Sequence, residues 1–98
     1  MVRANFMIET GGLSGALSLG TTALEVMVGG LRLKGRRFVG IYNNSDVVIY
    51  YGWVKDITTS TGFPIQPTEK VMIETNDRVK IYLIAGSSSN DVRIFEAG

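Results

Sequence analysis

The run "DVVIYYGW", Asp46 to Trp53, alternates with a period of two. Val47, Ile49, Tyr51 and Trp53 fall on one face, Val48 and Tyr50 on the other. β-Branched and aromatic residues at that period specify a short strand, because successive side chains of an extended chain point to opposite sides. The pattern spreads outward from there. "VKIYLIAG" sets Val79, Ile81, Leu83 and Ala85 against Tyr82 and Ile84, and "DVRIFEAG" sets Val92 and Ile94 against Arg93 and Phe95. "EKVMIE" alternates Val71 and Ile73 with Met72 and Glu74. Upstream, "TALEVMV" (22–28) and "RRFVGIYN" (37–43) read as strands, with "GALSLG" (15–20) a weaker one. No stretch sustains apolar residues at i, i+3, i+4 and i+7, so helices are not expected.

Turn signals separate these runs. Asn43-Asn44-Ser45-Asp46 carries side chains that bond their own backbone and tolerate positive φ, which reads as a hairpin turn. Gly62, Pro64 and Pro67 make "TGFPIQPTE" a crossing loop or the lead-in to an edge strand. Thr75-Asn76-Asp77 and "GSSSND" are further reversals. The expectation is an all-β fold, a β-sandwich or jelly-roll-like domain of about seven or eight short antiparallel strands. Trp53, Ile49, Ile81 and Leu83 are its candidate core. Residues 1–18, rich in Gly, Ser and Thr towards their end, read as an N-terminal arm, poorly ordered or docked on a neighbour. Residues 19–98 form the single β domain.

Composition narrows the function. The chain has 98 residues, enough for one core. Ten basic and nine acidic side chains leave a net charge of +1, which implies neither a nucleic acid nor an acidic substrate. With no cysteine and no histidine, disulfides, thiolate or imidazole metal sites, and Ser-His or Cys-His nucleophiles are all excluded. Neither a signal-peptide pattern nor an apolar run of membrane-spanning length is present, so synthesis in a cytoplasm without membrane attachment is expected.

The carboxylates read as turn chemistry. Glu69, Glu74 and Asp77 cluster on one strand and its turn, where solvated caps are commoner than an acid/base pair facing across a cleft. Asp46, Asp56, Asp77, Asn90 and Asp91 lie in turns or at strand ends, but no EF-hand spacing joins them. No catalytic residue, metal or cofactor is expected. The aromatics carry more information. Both faces of the strands around Ile49 and Ile81 are apolar, and a sandwich covers only one face of each sheet. Met27, Tyr50, Met72 and Tyr82 are therefore candidate interface residues, unless a loop or the arm folds over them. A sugar-binding platform would use the same residue types, and would leave Trp53 or Tyr51 exposed. Arg32, Lys34, Arg36 and Arg37 in "LRLKGRRF" form either a solvated loop or a contact to an acidic partner surface.

From Leu19 to Glu96 the chain resembles a small β module of tailed-phage virion proteins. The most specific part is "NNSD…TTSTGFPIQP", flanked by "LGTTALEV", "GRRFVGIYNNS", "VKIYLIAG" and "VRIFE". The resemblance implies a non-enzymatic virion structural protein of the capsid decoration or head-fibre kind. It implies a homo-oligomer, often a trimer, that contacts the major capsid protein or another virion protein. The four basic residues above become candidate capsid contacts. The other expectation is a carbohydrate- or receptor-binding module of a tail or fibre. A hydrolase working through carboxylates is the least expected class.

Overall fold

The structure, a computed structural model, describes residues 11–98. It is all-β, with eight strands: β1 Gly12–Leu19, β2 Leu24–Glu25, β3 Phe38–Asn43, β4 Ile49–Gly52, β5 Phe63–Ile65, β6 Lys70–Glu74, β7 Tyr82–Ala85 and β8 Asn90–Ala97. They form two four-stranded sheets, sheet A in the order β1-β8-β3-β6 and sheet B in the order β2-β7-β4-β5. Every pairing is antiparallel. The first strand pairs with the last, the second with the seventh, the third with the sixth and the fourth with the fifth. One long hairpin, rolled so that its arms fall alternately in two sheets, has this order; it is the jelly-roll form of a sandwich.

That topology changes the meaning of the turns. Only β4 and β5 are sequence neighbours that pair, across the long loop 53–62. The Asn43–Asp46 turn, expected to close a hairpin, instead carries the chain from sheet A to sheet B. Asn43 makes the crossing possible although fully buried. Its Nδ2 donates to Val47 O at 2.8 Å and Ile65 O at 2.9 Å, and its Oδ1 accepts from the Ser45 N–H at 3.1 Å and hydroxyl at 2.6 Å. Buried backbone groups at a sheet corner need partners, and this one amide satisfies several. Phe63–Ile65 with Pro64 is one of the two edge strands of sheet B, where a missing N–H is tolerated.

The period-two reading places the core. Val39 and Ile41 of β3, Val92 and Ile94 of β8, Ile49 of β4, Ile65 of β5, and Leu83 and Ala85 of β7 are buried between the sheets, joined by Leu19, Val26 and Ile81. Trp53 is the exception among the expected core residues. β4 ends at Gly52, one residue early, and Trp53 is 53% exposed. Gly52 is also where the loop folds back, since a Cβ there would stand 2.5 Å from Ile57 Cγ2. The expected boundary at Leu19 moves as well. Gly12–Leu19 is a continuous strand of sheet A paired with β8, so the domain includes it, and residues 1–10 of the expected arm lie outside the described residues.

One polar element lies inside. Glu96 is on the inward face of β8 and Arg36 lies just before β3; both side chains are fully buried and their charged atoms are 2.7 Å apart. Arg36 also donates to Val26 O at 3.0 Å, Val79 O at 2.7 Å and Asn76 O at 3.2 Å. Glu96 accepts from the backbone N–H groups of Val28 at 2.8 Å and Leu33 at 2.9 Å. A buried ion pair stands only when its remaining donors and acceptors are also satisfied, as here. The pair therefore pins the segment between β2 and β3. It also explains why "TALEVMV" is a strand only at Leu24–Glu25: beyond Val26, whose N–H bonds Ile81 O at 2.7 Å, the Val28 N–H turns to Glu96 rather than to a neighbouring strand.

Candidate functional site

The four expected interface residues do not share a surface. Tyr50 and Tyr82 lie half-buried on the outer face of sheet B, in neighbouring strands with Ile84. Met72 is on the outer face of sheet A and 50% exposed. Met27 is half-buried in the segment after β2. The structure thus offers two outward sheet faces on opposite sides of the sandwich, and the loop 53–62 covers part of the sheet B face through Ile57 over Gly52.

The outer face of sheet A holds the better-formed site. Register stacks Ser14, Phe95, Gly40 and Met72 in one row across all four strands, with Ala16, Arg93, Tyr42 and Lys70 in the next row of that face. Gly40 is the gap in this surface. A Cβ there would fall inside the Phe95 ring, so the ring lies across the glycine backbone. The result is an open, mainly apolar depression of about 460 Å³ between Phe95, Met72 and Tyr42. Its rim is cationic. Lys70 Nζ sits 5.7 Å from the centre of the Tyr42 ring, and Arg93 pairs with Asp91 at 3.0 Å. The Arg93 guanidinium, with a smaller contribution from the Asn44 amide, holds the Asp91 carboxyl below the usual carboxylate range.

A second feature is aromatic. Tyr51 packs its ring against Phe63, with centroids 5.8 Å apart and planes 13° from parallel, and meets Trp53 edge-on at 5.6 Å. Phe63 is 66% exposed. Tyr51 and Phe63 are register partners on neighbouring strands, and Leu83 and Leu24 continue the same row. The three rings form a platform at one end of sheet B.

The basic run does not act as a unit. Arg36 is the buried partner of Glu96, which removes it from any capsid-facing surface. Arg32 pairs with Glu25 at 2.6 Å and donates to Asp77 O at 2.7 Å; its hydrogen bond to the Glu25 carboxylate raises its pKa above the ordinary arginine value. Lys34 and Arg37 are exposed, with the Arg37 guanidinium 5.8 Å from the centre of the Phe38 ring. Two of the acids expected to serve turns bond backbone N–H groups: Glu69 accepts from the Gln66 N–H of its own turn at 2.8 Å, and Asp77 from the Gly35 N–H of a distant loop at 2.7 Å. Among the described residues, no three acids converge into a group able to hold a metal ion. Sequence reading missed the Gly40–Phe95 depression and the Glu96 pin. The signal for the first was a glycine inside a strand pattern, which often marks a close approach. No family model matches this chain, and no curated protein matches it.

Proposed function

We propose that this chain is a non-enzymatic accessory protein of a phage particle, which decorates or stabilises the capsid as a homo-oligomer. The observation that carries this reading is the depression over Gly40. A sandwich needs apolar residues only between its sheets, yet Phe95, Met72 and Tyr42 line a depression on the outside of sheet A. Apolar surface of that kind on a folded domain marks a protein contact. Lys70 beside it, with Arg93 already paired to Asp91, favours a partner that presents an apolar side chain next to an acidic one. The resemblance to virion modules adds support, as does the jelly-roll form, which viral capsid proteins use; the latter is a fold-level analogy. The test is density-gradient fractionation of particles from a culture carrying the gene, probed for this chain. Comigration with the particles, weakened by Met72→Asp, supports the reading. A chain that stays wholly in the particle-free fractions refutes it.

The aromatic platform favours a second reading, a carbohydrate- or receptor-binding module. Ring faces exposed at Trp53 and Phe63 suit the apolar faces of sugar rings. Oligosaccharides that bind there would change Trp53 fluorescence, and a glycan screen without hits would count against it.

A further inference from the structure

β1 stands at the edge of sheet A with the sequence GLSGALSL, which has no charge and no proline. Its pairing with β8 runs over all eight residues without a bulge. Edge strands of soluble proteins are normally blunted by a lysine, a proline, a bulge or a cover, because an open edge recruits another strand. This edge carries none of the first three.

The register shows which backbone groups it offers. One step beyond the Gly12–Ala97 pair, the Gly98 N–H donates to Gly11 O at 3.0 Å. Bonding alternates along an antiparallel pair, so the odd-numbered residues of β1 face β8. The N–H and C=O groups of Gly12, Ser14, Ala16 and Ser18 therefore point away from the sheet, and all four residues are exposed. On the inward side of the same edge, Leu13 is 46% exposed and Leu17 is half-buried against the core.

We infer that a second copy of this chain pairs here, β1 against β1, antiparallel about a two-fold axis at Gly15, which joins two copies of sheet A into one continuous sheet. The inference rests on the homo-oligomer reading and fixes its symmetry as two-fold, not the three-fold that the resemblance implies. An axis perpendicular to the sheet keeps inward residues opposite inward ones, so each residue must meet a partner residue of the same parity. With Gly15 on the axis, Gly12 meets the partner's Ser18 and Ser14 meets the partner's Ala16. All the outward groups of the four residues are then matched, in roughly eight hydrogen bonds. The same register sets Leu13 against the partner's Leu17 in the closer, non-bonded kind of pair, where side-chain contact is greatest. Moving the axis to Ala16 leaves Gly12 beyond the partner's β1 and sets Leu17 against a glycine. Among the described residues, the outer-face side chains along β1 are small and leave the approach unobstructed.

The chain has no native cysteine, so introduced thiols report cleanly. Leu13→Cys and Leu17→Cys chains, purified separately, mixed and oxidised, should form a disulfide dimer. Opposed Cα atoms in a non-bonded pair lie about 4.5 Å apart, within disulfide range. Either chain alone should crosslink poorly, because each residue lies roughly 13 Å from its own copy across the axis. Ser14→Cys with Ala16→Cys provides a second pair should Leu17→Cys weaken the core. Ala16→Pro removes an outward N–H and no bond to β8. By light scattering it should halve the mass, from twice 10.7 kDa to 10.7 kDa, while the circular dichroism spectrum stays that of the wild type. A wild-type oligomer that shows neither effect, or one of trimeric mass, overturns the edge pairing but leaves self-association standing. A monomer at every concentration overturns both.

Discussion

Replacing Glu96 by glutamine tests the central physical claim about the interior. The substitution keeps shape and removes only charge. In the native fold one carboxylate receives the Val28 N–H, the Leu33 N–H and the Arg36 guanidinium, all within 2.9 Å. A glutamine has a single acceptor oxygen, and its amide nitrogen must face a donor, Val28 on one side or Leu33 and Arg36 on the other. The Arg36 charge is then left buried without compensation. Removing one partner of a buried pair costs about 3–5 kcal/mol. For a chain of this size that is roughly 12–40 °C in Tm. Adding Arg36→Met should cost less than a second full penalty, because no unpaired charge remains. The double variant should not recover wild-type stability, since Val26 O, Val79 O and Asn76 O lose their shared donor. Urea denaturation followed by far-ultraviolet circular dichroism gives all corners of this double-mutant cycle. Wild-type stability within about 1 kcal/mol for Glu96→Gln, or strict additivity in the cycle, would refute the reasoning.

Other expectations follow from particular contacts. Gly40→Ala drives a methyl group into the Phe95 ring and should cost about 1–3 kcal/mol, a penalty that Phe95→Ala in the same chain relieves; urea midpoints of the three variants measure it. Trp53→Ala should cost only about 1 kcal/mol, the worth of an edge-on contact with Tyr51, whereas Leu83→Ala should cost about 2–5 kcal/mol; equal losses would contradict the burial assigned to the two residues. The Asp91 carboxyl, depressed by Arg93, contributes stability that is present above its unfolded pKa and is lost as pH falls through its lower folded value. Asp91→Asn should therefore flatten the acid limb of Tm against pH below about pH 4, and added salt should shrink the difference because the pair is exposed. Parallel acid limbs for the two proteins would contradict it.

The fold class was legible because period-two patterning is local: each of Val39, Ile41, Leu83, Val92 and Ile94 reveals its face from its immediate neighbours. Strand ends were less legible. Trp53 continued the alternation of Val47, Ile49 and Tyr51, but Gly52 let the loop close over the strand with Ile57, and no sequence rule weighs that contact. Turn chemistry is legible in the sequence as a reversal, but not as the choice between a hairpin and a crossing. Asn43 bonds its neighbourhood in the same way whether the next strand pairs beside it or crosses to the other sheet. The surface depression was half-legible, since Met72, Tyr42 and Phe95 occupy outward positions in the alternation, while the opening itself depends on Gly40 lying beside Phe95 of a strand more than fifty residues away.

Alternation, composition and spacing by themselves determined that this is a single all-β chain whose apolar residues exceed what one core requires, with no thiol or imidazole chemistry. Those properties are set residue by residue, or by simple counts. Tertiary structure alone decided that the first strand pairs with the last, that Arg36 turns inward to Glu96 while Lys34 and Arg37 stay outside, and that an uncharged strand stands at the edge of sheet A among the described residues. Each of these depends on backbone and side-chain groups brought together from opposite ends of the chain, and their free energy comes from burial and matched hydrogen bonds that exist only once both sheets are in place.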